Sequence, residues 1–310
     1  MVFEENLEVL VRRFIEYLEL ERNCSRLSII KYQHYLEVFL KYLEDNNKKT
    51  NVDSLNMENI RNFRLYLARQ PGRFGDMKIQ TQGYYVIIMR SFLKWLIRND
   101  YKVLQPEKLE VPKFRDHSIK FLNNEQIEKL LNQPILSTTI GIRDKVILEL
   151  LFSTGLRVSE LVSLNRNQID LKTREFGIIG KGGRARVVFI SKNMIQFLDR
   201  YLVSRLDKEN ALFIRYGGNL SSSKRLTARS IQEIVRKYVL QAKLSVDATP
   251  HTLRHSMATD LLREGADIRS VQEILGHKNI ATTQIYTHVT NARLREVHEK
   301  FHAGNKKDGI

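Results

Sequence analysis

The spacing of apolar residues divides the chain into a helical first third and a mixed remainder. Apolar positions recur every three or four residues in four early segments, which predicts amphipathic helices at roughly 5–22, 27–45, 56–69 and 79–99. The inner face of the fourth helix is predicted to carry Ile88, Phe92, Trp95 and Leu96. Because no strand-type alternation interrupts these segments, we expect a wholly helical bundle over residues 1–105.

A charged segment with little periodicity follows this bundle. Residues 105–118 contain two prolines and six charged side chains, a composition typical of a connection between folded units. A length of 310 residues also favours two domains. We therefore predict a helical domain at 1–105, a linker at 106–118 and a second domain at 119–310.

The second part mixes helices with a short β-sheet. Residues 141–164 read as a helix, a Ser-Thr-Gly break and a second helix that opens at Leu156 and Arg157. Strand-type alternation on both sides of Gly180-Lys181-Gly182-Gly183 predicts a β-hairpin with Lys181 at its tip. A further amphipathic helix is predicted to begin near Thr227. The predicted fold class is mainly α with a small β-sheet, an α+β arrangement.

The start of another helix, at Thr249 and Pro250, carries side chains suited to an anion. Thr249 fits an N-cap and Pro250 the first helical position. His251 and Arg254 follow at a spacing of three residues, so they project from one helical face. Free backbone N–H groups and an arginine together favour a bound phosphate at such a helix start.

The residues that follow predict a second short helix with a histidine beyond its end. Gly265 is predicted to end the first helix, Asp267 to cap the next, and Gly276 to stop it. His277 comes directly after this stop, and Tyr286 lies nine residues later. Taken singly, a histidine and a tyrosine in such places are more often structural than chemical.

Charge narrows the function classes further. Lys and Arg number 51 against 35 Asp and Glu, for a net charge of +16, which is typical of proteins that bind the nucleic-acid backbone.

No apolar run reaches 18 residues and the N-terminus does not resemble a signal peptide, so we expect a cytoplasmic, nucleoid-associated protein without a membrane partner. Cys24 is the single cysteine, which excludes an internal disulfide and suits a reducing compartment.

No cofactor or metal is expected from the sequence. Gly180-Lys181-Gly182 lacks the Ser or Thr and the following helix that a phosphate-binding Walker motif needs. His251 and His255 are four residues apart, but no glutamate lies next to His251 to complete a zinc-protease motif. We interpret His255 as a residue that either supports the neighbouring site side chains or packs.

The segment from Thr249 to Thr290 closely resembles the carboxy-terminal motif of the tyrosine recombinases, the family of phage integrases and Xer-type site-specific recombinases. That motif combines a His-x-x-Arg helix, a Leu-Gly-His turn and a nucleophilic tyrosine. The family also requires an upstream arginine on a helix and a lysine in a hairpin. All six positions are filled, by Arg157, Lys181, His251, Arg254, His277 and Tyr286.

The resemblance implies covalent DNA chemistry that needs neither metal nor ATP. Tyr286 would attack a DNA phosphodiester and form a 3′-phosphotyrosyl intermediate, with His251 as the base. Arg157, Arg254 and His277 would stabilise the charge on the phosphate, and Lys181 would protonate the leaving 5′ oxygen. The four-helix first domain would correspond to the core-binding, DNA-contacting domain of Xer-like proteins and 119–310 to the catalytic domain, together forming a clamp.

The implied partner is double-stranded DNA with a specific recombination site. The resemblance implies a tetramer on two duplexes, either of one chain or with a paralogue, and an activating protein is a further candidate partner. Resolution of chromosome or plasmid dimers is the expected role, with integration of a mobile element as the alternative. A type IB topoisomerase, or a non-catalytic DNA-binding relative, also remains open.

Basic residues outside this motif are candidate phosphate contacts. In the first domain these are Arg26, Lys31, Arg61, Arg64, Arg69, Arg73, Lys78 and Arg90. Arg225 and Arg229, at the entry of the helix predicted near Thr227, are candidates in the second.

Overall fold

The structure is a computed structural model that describes residues 6–72, 75–112, 120–180, 183, 185–217 and 224–276. The chain divides into two compact units, Met1–His117 and Ser118–Ile310. Lys181, His277 and Tyr286, three of the predicted site residues, lie outside the described residues.

The described part of the first unit contains the four predicted helices. They are α1 (Leu7–Leu20), α2 (Arg26–Asp45), α3 (Met57–Ala68) and α4 (Ile79–Arg98). Side chains of Asn6, Ser25 and Asn56 accept hydrogen bonds from the first-turn N–H groups of α1, α2 and α3. Each predicted helix is confirmed, with ends that differ by at most two residues.

Aromatic side chains form the centre of this unit. Phe14 of α1 is fully buried, and its ring centroid lies 5.3 Å from that of Phe92 and 5.6 Å from that of Trp95. Ile88 and Leu96 are also buried, which confirms the predicted inner face of α4. These large rings pack against one another and against the surrounding aliphatic side chains of the core.

The first unit is not wholly helical, contrary to the prediction. A minimal hairpin pairs β1 (Pro71–Gly72) with β2 (Gly75–Asp76), and its strands are too short to show alternation in the sequence. A 3-10 turn at Pro106–Lys108 then contacts α4, and Leu109 is buried in the same core. The chain therefore packs against the first unit for several residues beyond α4.

The described part of the second unit is mainly helical with a small antiparallel sheet, as predicted. Its elements are α5 (Asn124–Leu131), α6 (Thr139–Thr154), α7 (Val158–Ser163), β3 (Glu175–Ile179), β4 (Ala185–Phe189), α8 (Lys192–Val203), α9 (Ala228–Gln241), α10 (Pro250–Arg263) and α11 (Ile268–Leu275). Strands β3 and β4 pair in the register Glu175 to Phe189 and Ile179 to Ala185, which confirms the hairpin around the Gly180–Gly183 segment.

Helix α6 is the central element of this unit. It contacts α5, α7, α8, α9 and α10, and its Val146, Ile147, Leu150 and Leu151 are fully buried. Gly155 ends α6 in the left-handed conformation, with φ of +58°, which a glycine adopts at little cost. The helix therefore stops at one defined point inside the unit. No helix in the described ranges has both the length and the apolar character required to cross a membrane.

Candidate active site

Arg254 joins three chain segments at the end of α6. Its side chain is on the first turns of α10 and is 1% exposed. One terminal nitrogen donates to the carbonyl oxygen of Gly155, and the other donates to that of Leu275 at 2.5 Å. The guanidinium thus supplies donors to the ends of both α6 and α11, where carbonyls lack helical partners.

Gly155 permits this close approach. A Cβ atom there would lie 2.9 Å from Leu275 Cδ2 and 3.2 Å from Met257 Sδ. A larger residue would be strained in this left-handed conformation and would have to displace the side chain of Leu275. The Ser-Thr-Gly break in the sequence is therefore a point where three elements meet.

Arg157 occupies the N-cap of α7 beside the same point. Its backbone N–H donates to Glu160 Oε2, and its Nη1 donates to Glu160 Oε1, both at 2.9 Å. Glu160 offsets the unfavourable position of an arginine at a helix N-terminus. Arg157 Nη2 lies 3.5 Å from the carbonyl oxygen of Gly276, and the side chain is 28% exposed. One edge of this guanidinium therefore faces the end of α11 and solvent.

Sequence reasoning missed Arg186, a further member of this cluster. Its Nη2 and Nη1 donate to Glu160 Oε2 and Oε1 at 2.9 and 3.1 Å, and its side chain is 10% exposed. Burial alone would raise the pKa of Glu160, but hydrogen bonds from Arg186 and Arg157 outweigh burial and lower that pKa. The strand alternation in the sequence was one signal of this burial. Arg186 lies two residues before the buried Val188 in β4, so both side chains face inward.

His251 lies in the first turn of α10, with its ring centroid 4.8 Å from that of His255. The pKa of His251 is lowered mainly by partial desolvation, and the positive charges of Arg254 and Arg157 lower it further. Burial, together with His251 and Arg254, lowers the pKa of His255 to about 4. Both rings are therefore neutral near pH 7, and His251, which is exposed, can accept a proton.

The structure brings Arg157 and Arg254 together at the end of α11, and places His251 near enough to both for their charges to lower its pKa. Thr249 caps α10 and Asp267 caps α11, as predicted, and Gly276 ends α11 with φ of +63°. His277 follows Gly276 directly in the chain, whereas its own position, and those of Lys181 and Tyr286, fall outside the described residues.

Arg225, predicted to contact phosphate, also forms hydrogen bonds within its own unit. Its Nη1 donates to the carbonyl oxygens of Val162 and Leu164, and its Nη2 donates to Asn165 Oδ1 at 2.5 Å. These bonds fasten the segment before α9 to the end of α7. Arg229, in contrast, forms an exposed ion pair with Glu233 at 2.7 Å, and its contact with DNA stays a prediction.

The same chain matches family profiles along most of its length. Residues 120–293 match the profile described as "Phage integrase family", and residues 11–100 match "Phage integrase, N-terminal SAM-like domain".

Within the described ranges, no group of three or more His, Cys, Asp or Glu is placed to hold a metal ion.

Two relatives that are named as tyrosine recombinases align with this chain along nearly their whole length. The tyrosine recombinase XerD of Oceanobacillus iheyensis is 35% identical over 304 residues, covering 96% of this chain and 99% of that protein. The XerD of Listeria monocytogenes serovar 1/2a is 35% identical over 301 residues, covering 94% and 98%.

Solved structures agree on the fold. The XerA recombinase is 30% identical with a TM-score of 0.51, covering 96% of this chain and 99% of that one. The Tn1549 transposon integrase, solved with transposon right end DNA, has a TM-score of 0.75 at 18% identity, covering 96% and 100%. Profiles, relatives and fold thus agree with the resemblance first seen in the six motif residues, and the chain belongs to the phage integrase family as a tyrosine recombinase of the Xer type.

Proposed function

We propose that this chain is a site-specific recombinase that cleaves and rejoins double-stranded DNA through a 3′-phosphotyrosyl intermediate on Tyr286. The observation that carries the proposal is that Arg157 and Arg254 both reach the end of α11, directly before His277, while a neutral His251 lies close enough for the charges of both arginines to lower its pKa. The charge of +16 supports a DNA partner. Relatives named as the tyrosine recombinase XerD support site-specific recombination, and resolution of chromosome or plasmid dimers is the role that the Xer resemblance implies.

The two arginines are suited to the charge that develops on a phosphate under attack. Arg157 has an exposed edge, and its 3.5 Å contact with Gly276 is long enough to exchange for a phosphate oxygen. Arg254 is held by carbonyls at two points, so its guanidinium is already oriented. A pre-oriented pair of cations in a partly buried site stabilises a transition state without reorganisation. His277 would add a further hydrogen bond.

His251 is the proposed base that accepts the proton of Tyr286, and Lys181 is the proposed acid. A tyrosine with an ordinary pKa of about 10 must lose its proton during attack. His251 is neutral and exposed, and would receive that proton from Tyr286. Lys181, which follows β3 in the chain and precedes β4, would then protonate the leaving 5′ oxygen. The phosphotyrosyl bond retains the energy of the broken phosphodiester, so rejoining needs no ATP.

Strand exchange requires more than one copy of the site. We propose that four chains act on two duplexes, as one chain or together with a paralogue, and that an activating protein is a further candidate partner. A type IB topoisomerase would use similar chemistry as a monomer and would relax supercoils without exchanging strands.

The proposal is tested by covalent trapping followed by product topology. Protein is incubated in EDTA with nicked DNA that carries sites selected from bound sequences, and adducts are separated on a denaturing gel. A plasmid with two such sites is then assayed. Resolved circles support recombination, relaxed plasmid without exchange supports the topoisomerase alternative, and no adduct on any selected site contradicts the proposal.

The pH dependence of cleavage tests the assignment of His251. Because the pKa of His251 is lowered, its neutral form persists below the ordinary histidine pKa of about 6.5. We expect the second-order rate of adduct formation to fall as pH decreases, with a midpoint below that value. His251→Gln should remove this acidic limb and slow cleavage by about 10²-fold or more. His255→Gln is the matched control, and an unchanged midpoint in His251→Gln would assign the base elsewhere.

A modified leaving group tests the assignment of Lys181. Lys181→Ala should slow cleavage of ordinary DNA by about 10²- to 10⁴-fold. On DNA with sulfur as the bridging 5′ atom, the leaving thiolate needs no proton, so the variant should cleave at nearly the wild-type rate. Lys172→Ala, an exposed lysine before β3, serves as the control. Equal losses on both substrates would show that Lys181 is not the acid.

A further inference from the structure

Arg186 is buried at a strand position where an apolar residue would be expected. It lies on the same inward face of β4 as Val188. It forms a two-point ion pair with Glu160, whose side chain is 5% exposed. A buried ion pair often adds little net stability compared with apolar packing. Its presence beside the proposed active site therefore points to a role other than stability.

The carboxylate of Glu160 is shared between Arg186 and Arg157. Oε1 accepts from the Nη1 atoms of both arginines, and Oε2 accepts from Arg186 Nη2 and from the backbone N–H of Arg157. A carboxylate offers about four acceptor sites, so these bonds saturate Glu160. With Arg186 in place, the guanidinium of Arg157 bonds to Glu160 through Nη1 alone. If Arg186 were removed, Arg157 could close onto both oxygens in a fork.

Arg186 also lies against the end of α11. A Cβ atom on Gly276 would be 3.1 Å from Arg186 Nη1 and 3.2 Å from its Cδ. The carbonyl of Gly276 is the group that Arg157 Nη2 approaches. Arg186 thus touches α7 and the residue before His277, and it belongs to the strand that leads from the segment carrying Lys181.

We propose that Arg186 is a positioning residue that saturates Glu160 and so keeps the guanidinium of Arg157 directed to the scissile phosphate. This inference rests on the proposed recombinase function. Arg186 acts through Arg157, without contacting DNA itself. It also connects β4 to Glu160, the carboxylate that orients Arg157.

The test compares an ordinary scissile phosphate with a methylphosphonate, which lacks the negative charge that Arg157 would neutralise. Arg157→Ala and Arg186→Met should each lower single-turnover adduct formation by about tenfold or more on the phosphate. On the methylphosphonate both losses should shrink to about threefold or less, because the charge is absent. Arg186→Lys should fall between wild type and Arg186→Met, since it keeps the charge and loses the fork.

Arg143→Met is the matched control for a folding defect. Arg143 forms a similarly buried pair with Asp144, and it lies about 18 Å along α6 from Gly155 at a rise of 1.5 Å per residue. This variant should lower cleavage of both substrates by the same factor. DNA affinity, measured by fluorescence anisotropy, should stay within about threefold for all variants that melt as folded proteins.

Two outcomes would overturn the role of Arg186. One is an equal loss on both substrates, as for Arg143→Met, and the other is an unchanged rate on the phosphate. If Arg157→Ala itself is not relieved by the methylphosphonate, the role of Arg157 fails and that of Arg186 fails with it. A wild-type protein that forms no Tyr286-dependent adduct would instead reject the proposed function on which the inference rests.

Discussion

Replacing Tyr286 with phenylalanine is expected to abolish the covalent protein–DNA adduct while leaving DNA affinity within about threefold of wild type. The change removes one phenolic oxygen and keeps the ring, so only the nucleophile is lost. No other group in the cluster of Arg157, His251 and Arg254 can form the phosphotyrosyl bond. Loss of a nucleophile that defines a covalent mechanism costs about 10⁴-fold or more in rate.

The measurement is a denaturing gel of wild type and Tyr286→Phe on the same nicked DNA in EDTA, beside a binding titration. Tyr216→Phe is the matched control, because Tyr216 is a partly exposed tyrosine of the same unit and lies outside the motif. It should form adduct at the wild-type rate. An adduct that persists in Tyr286→Phe would remove Tyr286 from the mechanism.

The sequence predicted those features whose causes are local. Thr227, Thr249 and Asp267 cap their own helices, and the side chain of each bonds an N–H two or three residues ahead. Such signals can be read from a short stretch of chain. The His-x-x-Arg spacing on α10 is local for the same reason, so His251 and Arg254 were placed correctly on one helix.

What sequence reasoning missed depends on contacts between distant segments. Arg186 and Glu160 are 26 residues apart, and Arg225 reaches carbonyls about 60 residues away. A basic residue looks the same in sequence whether it meets phosphate or backbone carbonyls. The burial of Arg254 was likewise unpredicted, because it follows from Gly155 and Leu275 closing over it. An arginine predicted to bind phosphate therefore also holds α6 and α11 together.

That double role makes Arg254→Ala the second substitution with a large expected effect. Its removal should lower single-turnover cleavage by about 10²- to 10³-fold, because one pre-oriented donor pair to the phosphate is lost. It should also lower the free energy of unfolding by about 2 to 4 kcal/mol, since two buried carbonyls lose their donors and a cavity remains. Melting temperature and cleavage rate are therefore measured on the same preparation, with cleavage assayed well below Tm.

Arg205→Ala separates the two effects. Arg205 is another buried arginine of the second unit, and its guanidinium donates to the carbonyls of Ala211 and Leu212, away from the site. Its removal should destabilise the protein to a similar extent, while the remaining folded protein cleaves at close to the wild-type rate. Equal losses of cleavage in Arg254→Ala and Arg205→Ala would mean that Arg254 serves the fold alone. A selective loss in Arg254→Ala would mean that the same guanidinium holds α6 and α11 together and stabilises the reacting phosphate.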